Sequence, residues 1–204
     1  MSLKKTNIRE NIEWTNFRWF NAPDLQKLRI LLIGDSIVVG HGDLVHKLIE
    51  EDFCIDYMAT AKCVSDIEFM EELNYMLSKR DYELVIFNNG LHGFDIEDQV
   101  YIDHLQAVLT ELKSRVKQLV WRNSTPIRKK EDLNLFEERN DRVILRNKAA
   151  RGIARELDIP ILDLYTPMSE KVELFAPDAI HYNENGRKFQ AEMVADFIKN
   201  ILSQ

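Results

Sequence analysis

Hydrophobic positions along this chain alternate between two spacings. Short continuous runs at 28–33, 53–59, 83–87, 118–122 and 159–164 predict five strands. The first, broken only by Arg29, reads as buried on both faces, as in a parallel sheet covered by helices. Between the runs, apolar residues recur three and four apart and predict helices. They are Leu44, Val45, Leu48 and Ile49; then Met70, Leu73 and Leu77, with Ser65-Asp66-Ile67-Glu68 as a capping box at the start. A long helix over about 97–116 carries Ile102, Leu105, Leu109, Leu112 and Val116, and its basic last turn suits the helix dipole. Another over about 141–157 carries Val143, Ile144, Ala150, Ile153, Ala154 and Leu157, and a closing helix runs through Phe189, Met193, Val194, Phe197 and Ile198. Strand and helix alternate with no internal repeat, which predicts an α/β domain of three layers around a mostly parallel five-stranded sheet.

Two stretches stand outside this rhythm. Residues 1–27 are polar and irregular but hold Trp14, Phe17, Trp19 and Phe20, aromatics that bury large apolar areas. They are expected to form a lead segment packed on a domain of residues 28–204, as a plain hydrophobic strap or near the rim of the site. The polar stretch from about 127 to 138 is longer than most connections, so it is either mobile or functional.

A chain of 204 residues favours one large domain, and 45% hydrophobic with 30% charged residues is ordinary globular composition. No apolar run approaches the roughly 20 residues of a membrane span, and the N-terminal stretch lacks a secretory pattern, so the expected location is cytoplasmic with no membrane partner. Acidic residues exceed basic ones, 34 to 27, for a net charge of −7, a balance that argues against a nucleic-acid partner. Cys54 and Cys63 are separated without a CxxC or a histidine pair, so neither a disulfide framework nor a zinc site is indicated. Cys54 reads as core.

Chemistry enters at the two ends. The first strand stops at Gly34, and Asp35-Ser36 follows where a helix begins. A serine there either caps the helix or sits among free N–H groups suited to an oxyanion. Asp178 and His181, three apart before the last helix, let a carboxylate accept the imidazole Nδ1–H and leave Nε2 free to take a proton from a hydroxyl. The serine lacks the Gly-x-Ser-x-Gly elbow of α/β-hydrolases.

Gly34-Asp35-Ser36-Ile37, a glycine-containing turn after the third strand and Asp178-x-x-His181 together resemble the SGNH (GDSL-type) hydrolases over about residues 28–203. The resemblance implies a flavodoxin-like α/β/α sandwich. It also implies Ser36 as nucleophile, His181 as general base and acid, and Asp178 as the residue that orients His181. The middle motifs depart from the family. Aligning Gly90 puts His92 where the usual oxyanion asparagine stands and Gly93 where the aspartate stands, with Asn89 as the other candidate donor. Asn88 and Asn89 otherwise only shape the turn. The second-block glycine is replaced within 60–66, where a main-chain N–H near Cys63 to Ser65 can substitute.

Among the remaining residues, Arg122 and Arg128 read either as anion- or carbohydrate-binding groups or as solvated arginines. His41 is expected to face away from Ser36, and His46 and His104 to lie on the surface. No phosphate loop, metal cluster or cofactor fingerprint occurs, and the chemistry calls for no cofactor. The resemblance implies a serine esterase acting on a small-molecule ester, an acetylated carbohydrate or similar polyol foremost. An imidazole base predicts activity rising around pH 6–7, from a reference pKa of about 6.5. The altered middle motifs support the rival, a catalytically silent domain of this fold that binds a ligand or partner. The pattern leaves oligomeric state open.

Overall fold

The computed structural model describes residues 8–203. Six strands form one sheet in the order β1-β3-β2-β4-β5-β6. They are β1 (Thr15–Trp19), β2 (Arg29–Gly34), β3 (Cys54–Thr60), β4 (Leu84–Phe87), β5 (Gln118–Arg122) and β6 (Ile161–Leu162). The last five are mutually parallel and follow the flavodoxin-like order, second-first-third-fourth-fifth. The sixth strand was not expected. Thr15–Trp19, from the aromatic lead segment, adds antiparallel to the edge of β3, with Thr15 opposite Thr60 and Trp19 opposite Asp56.

Strand alternation sorts the core onto two faces. Ile30, Leu32, Ile55, Leu84, Ile86 and Val120 pack against Val38, Val45 and Ile49 of α1 (Ser36–Ile49) and Val194 and Ile198 of α6 (Glu184–Leu202). Leu31, Ile33, Val85, Phe87, Leu119 and Trp121 face α2 (Phe69–Leu77), α3 (Asp98–Arg115) and α4 (Arg139–Glu156). Phe17 and Trp19 join the second cluster, while Trp14 and Phe20 join the first. Phe17 also meets Tyr75 at 5.2 Å between ring centroids. A short helix α5 (Tyr165–Ser169) and a 3₁₀ turn at Val172–Leu174 connect β6 to the last loop. None of the helices among the described residues is long and apolar enough to cross a membrane.

Three local expectations are corrected. The stretch 65–68 is not a capping box: α2 starts at Phe69, and Asp66 Oδ1 accepts the Glu68 N–H at 2.7 Å, closing a turn in the loop instead. Strand β6 is only two residues, because Pro160 has no N–H for the ladder and the Asp163 carboxylate accepts from Thr166 N–H and hydroxyl at 3.1 and 2.7 Å, turning the chain into α5. On α3 and α4 most of the expected apolar residues are buried, Leu105, Leu109 and Leu112 on one and Val143, Ala150, Ile153 and Ala154 on the other, but the buried stripes also take in polar side chains. His104 is buried beside Tyr101, Leu105 and Val108, while Ile144 and Leu145 are exposed and Arg146 and Asn147 are buried.

Candidate active site

The β2 strand delivers Ser36 to the first turn of α1. Asp35 is the N-cap, its Oδ1 accepting the Ile37 N–H at 2.9 Å, so the turn is fixed by the residue next to the serine. At the far end of the chain, a tight turn before α6 sets the other two groups. Asp178 Oδ1 accepts the N–H of Ile180 at 3.0 Å and of His181 at 2.8 Å, and Ala179 between them takes a left-handed φ of 67°. Asp178 Oδ2 then lies 2.9 Å from His181 Nδ1, and His181 Nε2 lies 2.7 Å from Ser36 Oγ. Residues 145 positions apart thus form one hydrogen-bonded line. Burial alone raises the Asp178 pKa, but the two backbone N–H groups and His181 outweigh it and hold the carboxyl below its usual range, so it stays ionised.

A cleft of about 430 Å³ opens beside this line, walled by Trp14, Asn16, Ile37, Val39 and Arg187 as well as Ser36 and His181. It lies off the carboxyl ends of β2 and β3, between the first turns of α1, the start of β1 and α6. Asn88 N–H donates to Ile33 O at 2.9 Å, which sets the turn after β4 alongside the Ser36 turn.

The middle residues divide. Asn89 Nδ2 donates to Lys62 O at 2.8 Å and its Oδ1 accepts the Val64 N–H at 3.2 Å. The amide thus clamps the loops after β3 and β4, with one Nδ2–H used on Lys62 O. Asn88 likewise ties β4 to β5, donating to Arg122 O at 2.7 Å and Ser124 Oγ at 3.0 Å. In the 62–65 stretch the Val64 N–H is taken by Asn89 Oδ1 and the Lys62 N–H donates to Thr60 Oγ1. The Cys63 thiol is buried, and burial pushes its pKa up. Gly90 is required for space: a Cβ there would stand 2.0 Å from Ser124 Oγ. Gly90→Ala is expected to destabilise the fold by about 1–3 kcal/mol, read as a lower urea midpoint at unchanged m-value.

His92 is half-buried at the mouth of this turn, its Nδ1 3.0 Å from Glu10 Oε1 and its ring edge-on to Trp14 at 6.3 Å. Burial lowers the His92 pKa, yet Glu10 and the charge of Asp35 outweigh that and leave it raised.

No protein-family model and no curated protein matches the chain. Solved structures do. The chain superposes on an acetyl xylan esterase, AlAXEase, with TM-score 0.70 and 16% identity over 84% of this chain and 100% of that one. A lipase/acylhydrolase from Enterococcus faecalis gives 0.68 and 19% over 85% and 96%. A GDSL-like lipase from Bacteroides thetaiotaomicron gives 0.69 and 12% over 89% and 93%. The fold is that of the SGNH (GDSL-type) hydrolases.

Within this SGNH fold the arginines differ from expectation. Neither Arg122 nor Arg128 is solvated. Arg122 ends β5 on the α1 face, behind the serine turn, where a Cβ on Gly34 would come within 3.0 Å of its Nη2. Neither Nη finds a protein partner among the described residues, and burial pushes the Arg122 pKa down while Asp35 opposes the shift. Arg128 lies between Phe136 at 4.6 Å and Phe175 at 5.0 Å, and donates to Leu133 O at 2.8 Å and to Ser169 O. Its own N–H donates to Ala179 O at 2.9 Å, so the long loop braces the Asp178–His181 turn. His41 is not part of the Asp178–His181–Ser36 line. It is buried, and burial with Arg122 nearby pushes its pKa down to about 3, leaving it neutral. His46 is partly covered, stacked on Phe20 at 4.3 Å.

Sequence reading missed Arg146. Its guanidinium lies 4.2 Å from the Tyr101 ring centroid and donates to the carbonyls of Gly90, His92 and Gly93 at 3.2, 2.8 and 2.8 Å. The available signal was its position: Asn140, Val143, Arg146, Asn147 and Ala150 share one helical stripe, and polar groups on a buried stripe carry hydrogen bonds inward.

Proposed function

We propose that this protein is a serine esterase that cleaves a small acyl ester, with acetyl on a carbohydrate as the favoured substrate class. One observation carries the reading: the continuous Asp178–His181–Ser36 line, with links of 2.9 and 2.7 Å, opening on a cleft. In this reading His181 Nε2 takes the Ser36 proton as Oγ attacks the acyl carbon, while Asp178 accepts the Nδ1–H and steadies the imidazolium. The oxyanion forms beside the first-turn N–H of Ser36, the Cys63 N–H and the His92 ring. His181 then returns the proton to the departing alkoxide. Water, deprotonated by the same nitrogen, attacks the acyl-serine and releases the carboxylic acid and free Ser36.

The acyl and alcohol preference rests on the cleft walls and on the neighbours. Trp14 offers an indole face for a sugar ring, and Asn16 and Arg187 offer donors for its hydroxyls. Acetyl xylan esterases are among the neighbours of this fold, beside proteins named as lipases or acylhydrolases. A fluorophosphonate probe is expected to label Ser36 alone, as read by peptide mass, and Ser36→Ala is expected to abolish both labelling and hydrolysis of p-nitrophenyl acetate. An unlabelled parent with no turnover on acetylated sugars favours instead a silent binding domain of the same fold.

A further inference from the structure

Glu10 lies 82 positions from His92, outside the SGNH core, yet its Oε1 accepts from His92 Nδ1 at 3.0 Å and from the Gly93 N–H at 3.3 Å. Four residues later Trp14 turns the edge-to-face contact on the same imidazole and also walls the cleft beside Ser36. The incoming chain therefore fixes one nitrogen of the His92 ring and one side of the cleft together. The turn that carries His92 leaves β4 next to β2, the strand that ends at Ser36.

We propose that Glu10 is a positioning residue for ester hydrolysis, holding His92 by Nδ1–H so that Nε2–H faces the acyl oxygen as it becomes negative. This rests on the esterase reading above. A carboxylate that takes the Nδ1–H leaves a proton on Nε2 only in the imidazolium, so the donor is a cation as well as an N–H. A charged donor to an oxyanion is stronger than the neutral amide it replaces.

The charges facing His92 favour that state on balance. Glu10 and Asp35 support the cation, while burial and Arg146, reaching the turn from α4, oppose it. Arg139 acts on Glu10 and, after the dominant bond to His92, helps keep its carboxyl below the ordinary range. The consequence is an alkaline limb: activity declines as pH rises and His92 loses its proton. Removing the Glu10 charge withdraws support for the cation and moves that limb to lower pH.

The test is the pH profile of kcat/KM for phenyl acetate, followed by titration at constant pH, in the parent, Glu10→Gln, His92→Asn and the double variant. Glu10→Gln is expected to lower kcat/KM by about tenfold on the alkaline side and shift the alkaline limb downward. In His92→Asn the side-chain amide donates without titrating, so the alkaline limb disappears and adding Glu10→Gln changes nothing further. An alkaline limb in Glu10→Gln that overlays the parent's overturns the proposal. So does an equal loss from Glu10→Gln in the His92→Asn background, which assigns Glu10 to bracing the chain alone. In both cases the esterase stands. Hydrolysis that survives Ser36→Ala, by contrast, removes the esterase reading and this proposal with it, whatever the Glu10 variants do.

Discussion

Replacing His181 with alanine is expected to lower kcat for ester hydrolysis by about 10⁴- to 10⁶-fold, the scale at which a serine hydrolase loses its base. The size follows from what Oγ loses. A serine hydroxyl is a weak nucleophile at neutral pH, and in the proposed esterase the nitrogen 2.7 Å away is the group that removes its proton as the bond to carbon forms. No other imidazole among the described residues takes over. His41 is buried and neutral, and His92, its pKa raised beside Glu10 and Asp35, favours the protonated form that cannot accept a proton. Because the three groups act as one unit, Ser36→Ala added to His181→Ala is expected to cost almost nothing more. The His181 side chain is 45% exposed, so its removal leaves a gap open to solvent that free imidazole can enter. Partial rescue by imidazole in the assay, absent from Ser36→Ala, separates loss of the base from loss of the fold. A fall of less than tenfold without added imidazole would move the base elsewhere.

The parts of this site that were legible in sequence are those set by short-range geometry. Asp178 and His181 are three apart because one carboxylate must cap the turn with one oxygen and hold the ring with the other. Gly34-Asp35-Ser36 is legible because a buried strand ending in a cap residue has few meanings. The parallel strands were likewise visible as apolar runs. Strand β1 was not: Phe17 and Trp19 alternate with polar Asn16 and Arg18, but five residues are a short window, and the flanking Trp14 and Phe20 pack on the opposite face and blur where the alternation starts and stops. The arginines misled for a different reason. Sequence gives the charge of Arg122, Arg128 and Arg146 but not the aromatic rings and carbonyls that receive them, and those lie on other elements. Asn89 and His92 illustrate the limit within a single turn. Both types donate hydrogen bonds, and only the folded neighbours, Lys62 and Val64 for one and Glu10 for the other, decide their roles.

Arg29→Met is expected to destabilise the protein by about 3–5 kcal/mol at neutral pH, the cost of leaving a buried charge without its partner. Arg29 is 5% exposed, and its Nη1 donates to Asp56 Oδ1 at 2.8 Å, within a side chain that has no exposed surface. The same guanidinium donates to the carbonyls of Phe20, Asn21 and Asp24 at 3.1, 3.0 and 3.0 Å, so it also fastens the segment that follows β1. Asp56 keeps the Tyr82 hydroxyl, at 3.1 Å, and the Phe20 N–H once Arg29 is gone. Burial already pushes the Asp56 pKa up, with Arg29 as the main force holding it down. In the variant it rises further, so the folded state binds a proton that the unfolded state has released. Stability of the variant therefore falls as pH climbs from the ordinary carboxylate pKa through the raised one, and its deficit against the parent widens over that window. Urea midpoints measured at pH 5 and pH 7 read this directly. Arg29→Met combined with Asp56→Asn removes the stranded charge yet keeps an acceptor for Tyr82, and is expected to recover about 2–3 kcal/mol at pH 7 while becoming insensitive to pH. If the single variant loses no more at pH 7 than at pH 5, the three carbonyl contacts rather than the ion pair carry the contribution of Arg29.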